Sequence, residues 1–393
     1  MLAIKKGKLY TVTAGIIDEG TILIDDGKIV AIGKGISIPE GAEIIDAEGK
    51  VVTPGIIDAH AHVGIWEEGM GNEGIDVNEA TNPVTPQVRA LDGINPEDMG
   101  LRDAYQMGVT AIWCPPGSAN IIGGEGVTMR TKGNSMDEMV MVELSGLKAA
   151  FGENPKGAYG NRKIMPSTRM GSAAVMREAL LKTKHYLGKI AKAGDDESKL
   201  PDKDLGLEVI AKVLRKEIPM RIHAHRADDI MTAIRIAEEF DINITIEHGT
   251  EAHKVAGELA KRNIPVVIGP ALCARSKVEV KDTSLATPAI CHAAGVKFAL
   301  LTDHPIIPVG YLPLAAAMAV KYGLPEDVAL ASITQTAAEI SGVGERVGSL
   351  EVGKEADIVV WTGHPFETET KVEATIMAGA VVYRRGEGSV SCC

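Results

Sequence analysis

Two histidines separated by one residue stand at the end of an apolar stretch near the N-terminus. The stretch "TPGIIDAHAHVG" begins at Thr53 and contains His60 and His62. Side chains two positions apart on a β-strand project from the same face, so the two imidazoles would lie close together. This spacing suits two ligands of one metal ion, although two histidines can also share a face by chance.

Further residues with metal-binding side chains follow other strand-like runs. His223 and His225 follow "PMRI", His248 follows "ITIE", and Asp303 and His304 follow "FALLT". Together with the first pair, six of the ten histidines stand at expected strand ends. Because the carboxyl ends of the strands meet at one face of a parallel barrel, these side chains predict a metal site at that face.

The elements that must position these residues alternate between strand-like and helical patterns. Helical patterns such as "DDIMTAIRIAEEF" separate apolar runs, which is the rhythm of parallel βα units. The continuous apolar runs favour a sheet buried on both faces, and no dinucleotide or Walker loop marks a nucleotide-binding sheet. We therefore predict an α/β fold with a (β/α)8 TIM barrel over residues 54–344. The runs are "VTAIWC" (109–114), "MRIH" (220–223), "NITIEH" (243–248), "PVVIG" (265–269) and "VKFALLTDH" (296–304).

Both ends of the chain carry short apolar stretches broken by turns. Asp26 with Gly27 and Glu48 with Gly49 are hairpin-type pairs between alternating stretches. The C-terminal stretches "GSLEVGKEADIVVWTG" and "VEATIMAGAVVYRRG" have the same character. The sequence therefore predicts a small β-sandwich domain built from residues 1–53 and 345–393.

Composition narrows the range of partners and compartments. The 393 residues carry a net charge of -12, which argues against nucleic acid or an anionic membrane as a partner. No apolar run approaches the ~20 residues that span a bilayer, and the start "MLAIKKGKLYTVTAG" resembles no signal peptide. Five cysteines without a C-x-x-C motif are typical of core residues, and Cys392 and Cys393 indicate no function. We expect a cytoplasmic protein.

The predicted ligands suggest a particular metal chemistry. Imidazoles and carboxylates without thiolates favour Zn²⁺, with Mn²⁺, Fe²⁺ or Co²⁺ as alternatives. An ion held by His60, His62 and His223 would keep an open position for a water whose pKa falls toward ~7. Asp303 is placed to take the proton of that water and pass it to a leaving nitrogen. His248 would bind a second ion or polarise the substrate oxygen.

Several of these motifs, in this order, resemble the amidohydrolase superfamily. They are the pattern P-G-I-I-D-x-H-x-H after a β-rich start, a histidine at strands five and six, and an aspartate at strand eight. The segment "VGSLEVGKEADIVVW" (347–361) is similar to the superfamily's return strand. The segments "IHAHRADDI" (222–230) and "IEHGTEAH" (246–253) resemble the imidazolonepropionase-like branch, which also contains Xaa-Arg/Lys dipeptidases.

The resemblance implies a set of metal ligands in which the identity of one residue is undecided. Members with two metal ions bridge them with a carboxylated lysine or a glutamate near strand three or four, and members with one ion have neither. Lys148 and Glu153 are the alternatives here, and we favour Glu153 because it follows the strand and needs no carbamate chemistry. His225 would contact the substrate or a ligand. The remaining metal ligands implied by the resemblance are His60, His62, His223, His248 and Asp303.

Two long inserts are expected to shape the substrate site. Residues 64–100 form a long loop with eight acidic residues and one arginine, which indicates a lid or binding loop. We favour a solvated face for these acids over recognition of a cationic substrate. Residues 115–133 contain five glycines, which would let the backbone approach a ligand. Arg130, Tyr159 and Arg169 are predicted to bind a substrate carboxylate.

The sequence thus predicts a metal-dependent amidohydrolase that cleaves a carbon–nitrogen bond of a small molecule. Two catalytic alternatives remain, a Xaa-Arg/Lys-type dipeptidase and a one-metal heterocycle deaminase that uses His225 and Asp228. A non-catalytic assembly protein is a remote alternative, because such relatives tend to lose ligands. We also expect a homo-oligomer.

Overall fold

The first of two eight-stranded sheets is built from both ends of the chain. The computed structural model describes residues 1–387, so Cys392 and Cys393 lie outside the described residues. The strands of this terminal sheet are β1 (Leu2–Tyr10), β2 (Ile16–Asp25), β3 (Lys28–Gly33), β4 (Glu43–Asp46), β5 (Val51–Pro54), β14 (Ile358–Trp361), β15 (Val372–Met377) and β16 (Ala380–Arg384).

The N-terminal and C-terminal halves of the terminal sheet meet at β5 and β14. These strands are antiparallel, with Val52 opposite Val360. Strand β1 is central, because it pairs with β2 on one side and with β4 and β5 on the other. Apolar side chains such as Ile4, Ile24 and Ile358 form a core of their own. One sheet thus joins both termini, whereas a two-layered sandwich and the boundaries at 53 and 345 remain predictions.

The second sheet curves nearly into a barrel, which is consistent with the predicted TIM barrel. Its strand order follows the chain from β6 to β13. The strands are β6 (Ile56–Asp58), β7 (Val109–Cys114), β8 (Ile122–Arg130), β9 (Val140–Ala150), β10 (Met220–Ala224), β11 (Ile244–His248), β12 (Val266–Ile268) and β13 (Phe298–Leu300).

Strand β8 is the departure from a (β/α)8 barrel. It runs antiparallel to both β7 and β9, whereas the other neighbouring strands of this sheet are parallel. Residues 115–133 were predicted to form a glycine-rich loop beside a ligand. Ile122–Arg130 of this stretch instead form β8, where Ile122, Val127 and Met129 are buried in the barrel core. Only the start of the insert stays at the carboxyl ends of the parallel strands.

Backbone hydrogen bonds join the two edge strands of the barrel just beyond their ends. The Asp303 amide donates to the His60 carbonyl over 3.1 Å, and the His62 amide donates to the His304 carbonyl over 3.0 Å. The buried Asp58 carboxylate accepts from the amides of His60 and Thr302 on the two edges. The barrel therefore closes at the residues that carry the predicted ligands.

Helices surround the barrel, mostly in the links that follow β9 to β13. In the described part of the chain, no helix is long and apolar enough to cross a membrane. The helices are α1 (Met99–Gln106), α2 (Met136–Met139), α3 (Glu153–Gly160), α4 (Arg169–Ala193), α5 (Leu205–Leu214), α6 (Ala227–Phe240), α7 (Ala256–Lys261), α8 (Thr287–Ala293), α9 (Leu312–Lys321), α10 (Glu326–Ser332) and α11 (Gln335–Ile340).

Arg130, which was predicted to bind a substrate carboxylate, connects the barrel to the terminal sheet. It ends β8 opposite Ala111, near the amino ends of the parallel strands and away from the histidines. Its guanidinium donates to the buried Asp357 carboxylate over 3.2 Å and forms an ion pair with Glu355. The reversed direction of β8 carries this arginine to the opposite end of the barrel.

Replacing Arg130 should weaken the fold without changing substrate binding. Arg130→Met leaves the Asp357 carboxylate buried without its cation, which costs about 3–5 kcal/mol. We expect the free energy of unfolding in urea to fall by about that amount while KM stays unchanged. A variant with wild-type stability or a KM raised about tenfold would contradict this role.

Candidate metal centre

The structure brings the predicted strand-end residues together in two groups. His60, His62 and Asp303 form one group, and three histidines after β10 and β11 form the other. Within each group the ligand atoms lie within 4.8 Å of one another. The rings of His60 and His248 connect the groups, with centroids 5.0 Å apart. The second group consists of His223, His225 and His248.

Three histidines are held with the Nε2 lone pair directed at the centre. His62 Nδ1 lies 2.9 Å from the Pro115 carbonyl, and His248 Nδ1 lies 3.0 Å from the Gly269 carbonyl. His60 Nδ1 lies 2.7 Å from the Glu247 carboxylate. A carbonyl or a carboxylate can only accept, so each Nδ1 carries the proton and each Nε2 is a free donor atom for a metal.

The Nε2 atoms of His60, His223 and His248 are buried without a hydrogen-bond partner among the described residues. Such orphaned nitrogens are costly unless another group binds them. Burial also lowers the pKa of all three imidazoles well below the ordinary value, so they are neutral. Neutral, oriented imidazoles around one space fit the donor set of a divalent metal ion.

A buried ion pair supports His60 from behind. Glu247 accepts from His60 through one oxygen and from Arg221 through the other, over 2.7 Å. The Arg221 guanidinium lies 3.4 Å from the centre of the Trp113 ring and donates to the Ala59 carbonyl. These contacts hold the carboxylate, and the carboxylate fixes the orientation of the His60 ring.

Asp303 is an ionised carboxylate at this centre. Its Oδ1 lies 3.4 Å from His62 Nε2 and 3.8 Å from His60 Nε2. Burial alone would raise the pKa of Asp303, but the charges around it, including that of the buried Lys148, hold the pKa below its ordinary value. Its backbone has a φ of 55°, an unusual conformation for a residue other than glycine that is common at functional sites.

Lys148, the alternative to Glu153 as a bridging ligand, is buried inside the barrel. The Lys148 ammonium is fully buried and donates to Ser118 Oγ over 3.0 Å, and Ser118 Oγ lies 2.9 Å from His223 Nδ1. Burial lowers the pKa of Lys148 to about 8. Glu153 begins α3, is half-buried and belongs to neither group. The chain turns at Gly152, with a φ of 91°, before it reaches Glu153.

Tyr159 and Arg169 have partners away from the centre. The Tyr159 hydroxyl donates to the Asn82 carbonyl over 2.8 Å. Arg169 Nε donates to Asp229 over 3.0 Å. Neither residue lines the cavity in front of the histidines. Like Arg130, they therefore lie outside the lining of this cavity, where a carboxylate-binding role was predicted for them.

A cavity of about 450 Å³ opens in front of the two groups. His62, His223, His225 and Asp303 form part of its wall. Residues 64–100 contribute apolar and amide side chains to it, whereas none of their acidic side chains lines it. The insert is therefore a wall of the cavity, and its acids play no part in the lining. Its contributing residues are Trp66, Val77 and Asn78.

Lys277 and Glu279, in the loop after β12, were not predicted from the sequence. Among the described lining residues Lys277 is the sole lysine or arginine, and its ammonium lies 2.6 Å from Glu279 and 3.1 Å from Asn154 Oδ1. Glu279 is fully buried beside His223 and His225. Their only sequence signal was an alternating Lys-Val-Glu shortly after a predicted strand.

Comparisons with known proteins agree with this geometry. The profile of the amidohydrolase family matches residues 198–382. The crystal structure of an amidohydrolase from Thermotoga maritima MSB8 is 46% identical and covers 98% of this chain and 100% of its own, with a TM-score of 0.95.

Two relatives known by sequence match at lower identity. An imidazolonepropionase of Mesorhizobium japonicum is 28% identical, over 88% of this chain and 87% of its own. The amidohydrolase tasK of Hapsidospora irregularis is 30% identical over 88% of this chain, which spans 38% of that relative. The resemblance drawn from the histidine motifs is thereby confirmed. The chain belongs to the amidohydrolase family, in its imidazolonepropionase-like branch, and is an enzyme that acts on carbon–nitrogen bonds.

Proposed function

We propose that this enzyme is a metal-dependent amidohydrolase that cleaves an amide or cyclic amide bond of a small molecule. The observation that carries the proposal is the convergence of neutral, oriented imidazoles and one carboxylate on a cavity of about 450 Å³. One or two ions would be held by His60, His62, His223, His248 and Asp303. Imidazole donors without thiolates favour Zn²⁺.

A divalent ion bound at these residues would supply a nucleophile at neutral pH and polarise a carbonyl oxygen. The chain itself supplies the proton transfer. Asp303 is the one carboxylate among the described residues that line the cavity, and its lowered pKa keeps it ionised at neutral pH. It accepts the proton of the attacking water and delivers that proton to the leaving nitrogen.

Asp303→Asn removes this proton acceptor while keeping the size of the side chain. We expect kcat to fall about 10²–10⁴-fold, the usual contribution of a general acid–base group. Metal content should remain near the wild-type value by elemental analysis. Asp282→Asn, a change at an aspartate that does not line the cavity, is the control and should keep full activity. Retained turnover in Asp303→Asn would refute the proton-transfer role.

We propose that Lys148, in place of Glu153, bridges two ions as a carbamate. The lowered pKa leaves part of the lysine as a neutral amine, which adds to CO₂ and releases a proton to give a carboxylated nitrogen. The fully buried Nζ shares Ser118 with His223, so the new carboxylate would lie beside a ligand. A one-metal site without this bridge is the alternative.

Metal content of two variants tests this bridge. Lys148→Met should lower the metal content from about two ions per chain to one or fewer, because the bridging ligand is lost. Glu153→Ala is the matched control and should keep both ions. Elemental analysis of protein purified with bicarbonate provides the measurement. One ion per chain in the wild type, or a loss of metal only in Glu153→Ala, would contradict the proposal that Lys148 bridges two ions.

Lys277 supports a substrate that carries a carboxylate, such as an N-acyl amino acid or a dipeptide. Its ammonium uses two of its donors on Glu279 and Asn154, which leaves one for a ligand in the cavity. The apolar Trp66 and Ile306 line the same cavity and suit an acyl or side-chain group. Lys277 thus takes the role that was predicted for Arg130, Tyr159 and Arg169.

Lys277→Met should discriminate between a substrate and its carboxamide analogue. Loss of a hydrogen bond to a charged group costs about 1.5–3 kcal/mol, so KM for the free carboxylate should rise about 10–100-fold. The carboxamide, which lacks the charge, should be affected far less. Lys281→Met serves as the matched control because Lys281 does not line the cavity. Equal effects on both substrates would exclude carboxylate binding by Lys277.

The deaminase alternative is less well supported. Adenine deaminases of Listeria monocytogenes are 26% identical to the chain, which spans 58% of their length. His225 lines the cavity, but Asp228 pairs with Arg226 over 2.9 Å and lies outside the lining. Activity screens on N-acyl amino acids, dipeptides, hydantoins, imidazolones and adenine would separate these functions. A homo-oligomer and a cytoplasmic location remain predictions.

A further inference from the structure

Glu279 is a fully buried carboxylate that reaches the wall of the catalytic cavity from the loop after β12. Its Oε2 accepts from the Glu153 amide at the start of α3 over 2.8 Å. Its Oε1 lies 3.6 Å from His225 Nε2 and 3.9 Å from His223 Nε2. The carboxylate therefore links three separate parts of the barrel face.

The backbone beside Glu279 is shaped to admit this carboxylate. A Cβ atom on Gly152 would lie 2.5 Å from Glu279 Oε2, so a larger residue would displace the carboxylate. Gly152 also has a φ of 91°, a backbone conformation that residues other than glycine rarely adopt. Burying an ionised group is costly, and Lys277 provides the counter-charge.

His225 has a hydroxyl partner at Nδ1, as His223 does, and differs in this from His60, His62 and His248. The Glu279 carboxylate lies nearer to His225 Nε2, at 3.6 Å, than to His223 Nε2, at 3.9 Å. His225 Nδ1 lies 2.7 Å from the Thr250 hydroxyl, which can donate as well as accept. Its Nε2 faces the Glu279 carboxylate, and a carboxylate repels a lone pair but attracts an N–H. The Thr250 hydroxyl therefore donates to Nδ1, and Nε2 carries the proton. His60, His62 and His248 have the opposite tautomer because their Nδ1 partners can only accept.

We infer that Glu279 holds His225 as an Nε2–H donor, and that this donor binds the substrate oxygen on which negative charge develops. This inference rests on the proposed amide hydrolysis. The separation of 3.6 Å is too long for a full hydrogen bond, so the N–H remains available to the cavity that His225 lines. Glu279 does not line the cavity, and it acts as a positioning residue through His225.

A double-mutant cycle on the zinc-loaded protein tests the coupling of the two residues. The substrate is the amide that the wild type hydrolyses fastest in the screen above. His225→Asn and Glu279→Gln should each lower kcat about 10–100-fold with little change in KM, as expected for a donor used in the transition state. The kcat of the double variant should be no lower than that of His225→Asn, because both changes remove the same N–H donor.

Glu251→Gln is a closely matched control. Glu251 is also a buried loop carboxylate, accepts from the first amide of a helix (Ala227, 2.8 Å) and pairs with a lysine (Lys254, 2.9 Å). It does not line the cavity. Its variant should therefore keep the wild-type kcat. If Glu251→Gln lowers kcat as much as Glu279→Gln does, the effect is structural and the inference fails.

The ring nitrogens of His225 provide a readout that needs no turnover. In zinc-loaded protein labelled with ¹⁵N-histidine, the signals missing from His225→Asn identify this ring by NMR. We expect a protonated Nε2 in the wild type and a shift of the proton toward Nδ1 in Glu279→Gln. A wild-type His225 with a metal-bound or unprotonated Nε2 would overturn the inference. A wild type that hydrolyses no amide would instead overturn the proposed function, while the tautomer could still be measured.

Discussion

Two backbone hydrogen bonds between the edges of the barrel hold the site together, from Asp303 to His60 and from His62 to His304. The edge strands β6 and β13 have three residues each and come from distant parts of the chain. Closing the barrel at this point places three ligand-bearing residues side by side. The stability of the barrel and the geometry of the site therefore depend on the same contacts, which are reinforced by the buried carboxylate of Asp58.

Burial gives the imidazoles the properties that a metal site requires. It keeps them neutral by lowering their pKa, and it makes each Nδ1 depend on an internal partner for its hydrogen bond. Those partners are carbonyls for His62 and His248 and a carboxylate for His60, so the free nitrogen of each ring is the one that faces the centre. Arg221 in turn donates to Glu247 and so holds the carboxylate that orients the His60 ring.

The charges around the cavity are few, and each has a defined partner. Asp303 lies against the histidines, whereas Lys277 and Glu279 neutralise each other in the loop after β12. The cationic and phenolic residues suggested by sequence satisfy other buried groups, as Arg130 does for Asp357. Long polar side chains are therefore poor guides to a substrate site, because their reach lets them bind whichever buried partner the fold brings near.

The sequence by itself determined the strand-end histidines, the aspartate after β13 and the association of both termini, although it predicted a sandwich where the structure has one sheet. These features are local: a period of two places His60 and His62 on one face, and parallel strands gather their carboxyl ends. Only the tertiary structure buried Lys148 in the barrel, put Glu153 at the start of α3 and reversed β8. It also placed Lys277 in the cavity wall and Glu279 beside His225. Those outcomes depend on where the chain turns after a strand ends and on which distant loop packs against it, and neither leaves a periodic pattern in the sequence.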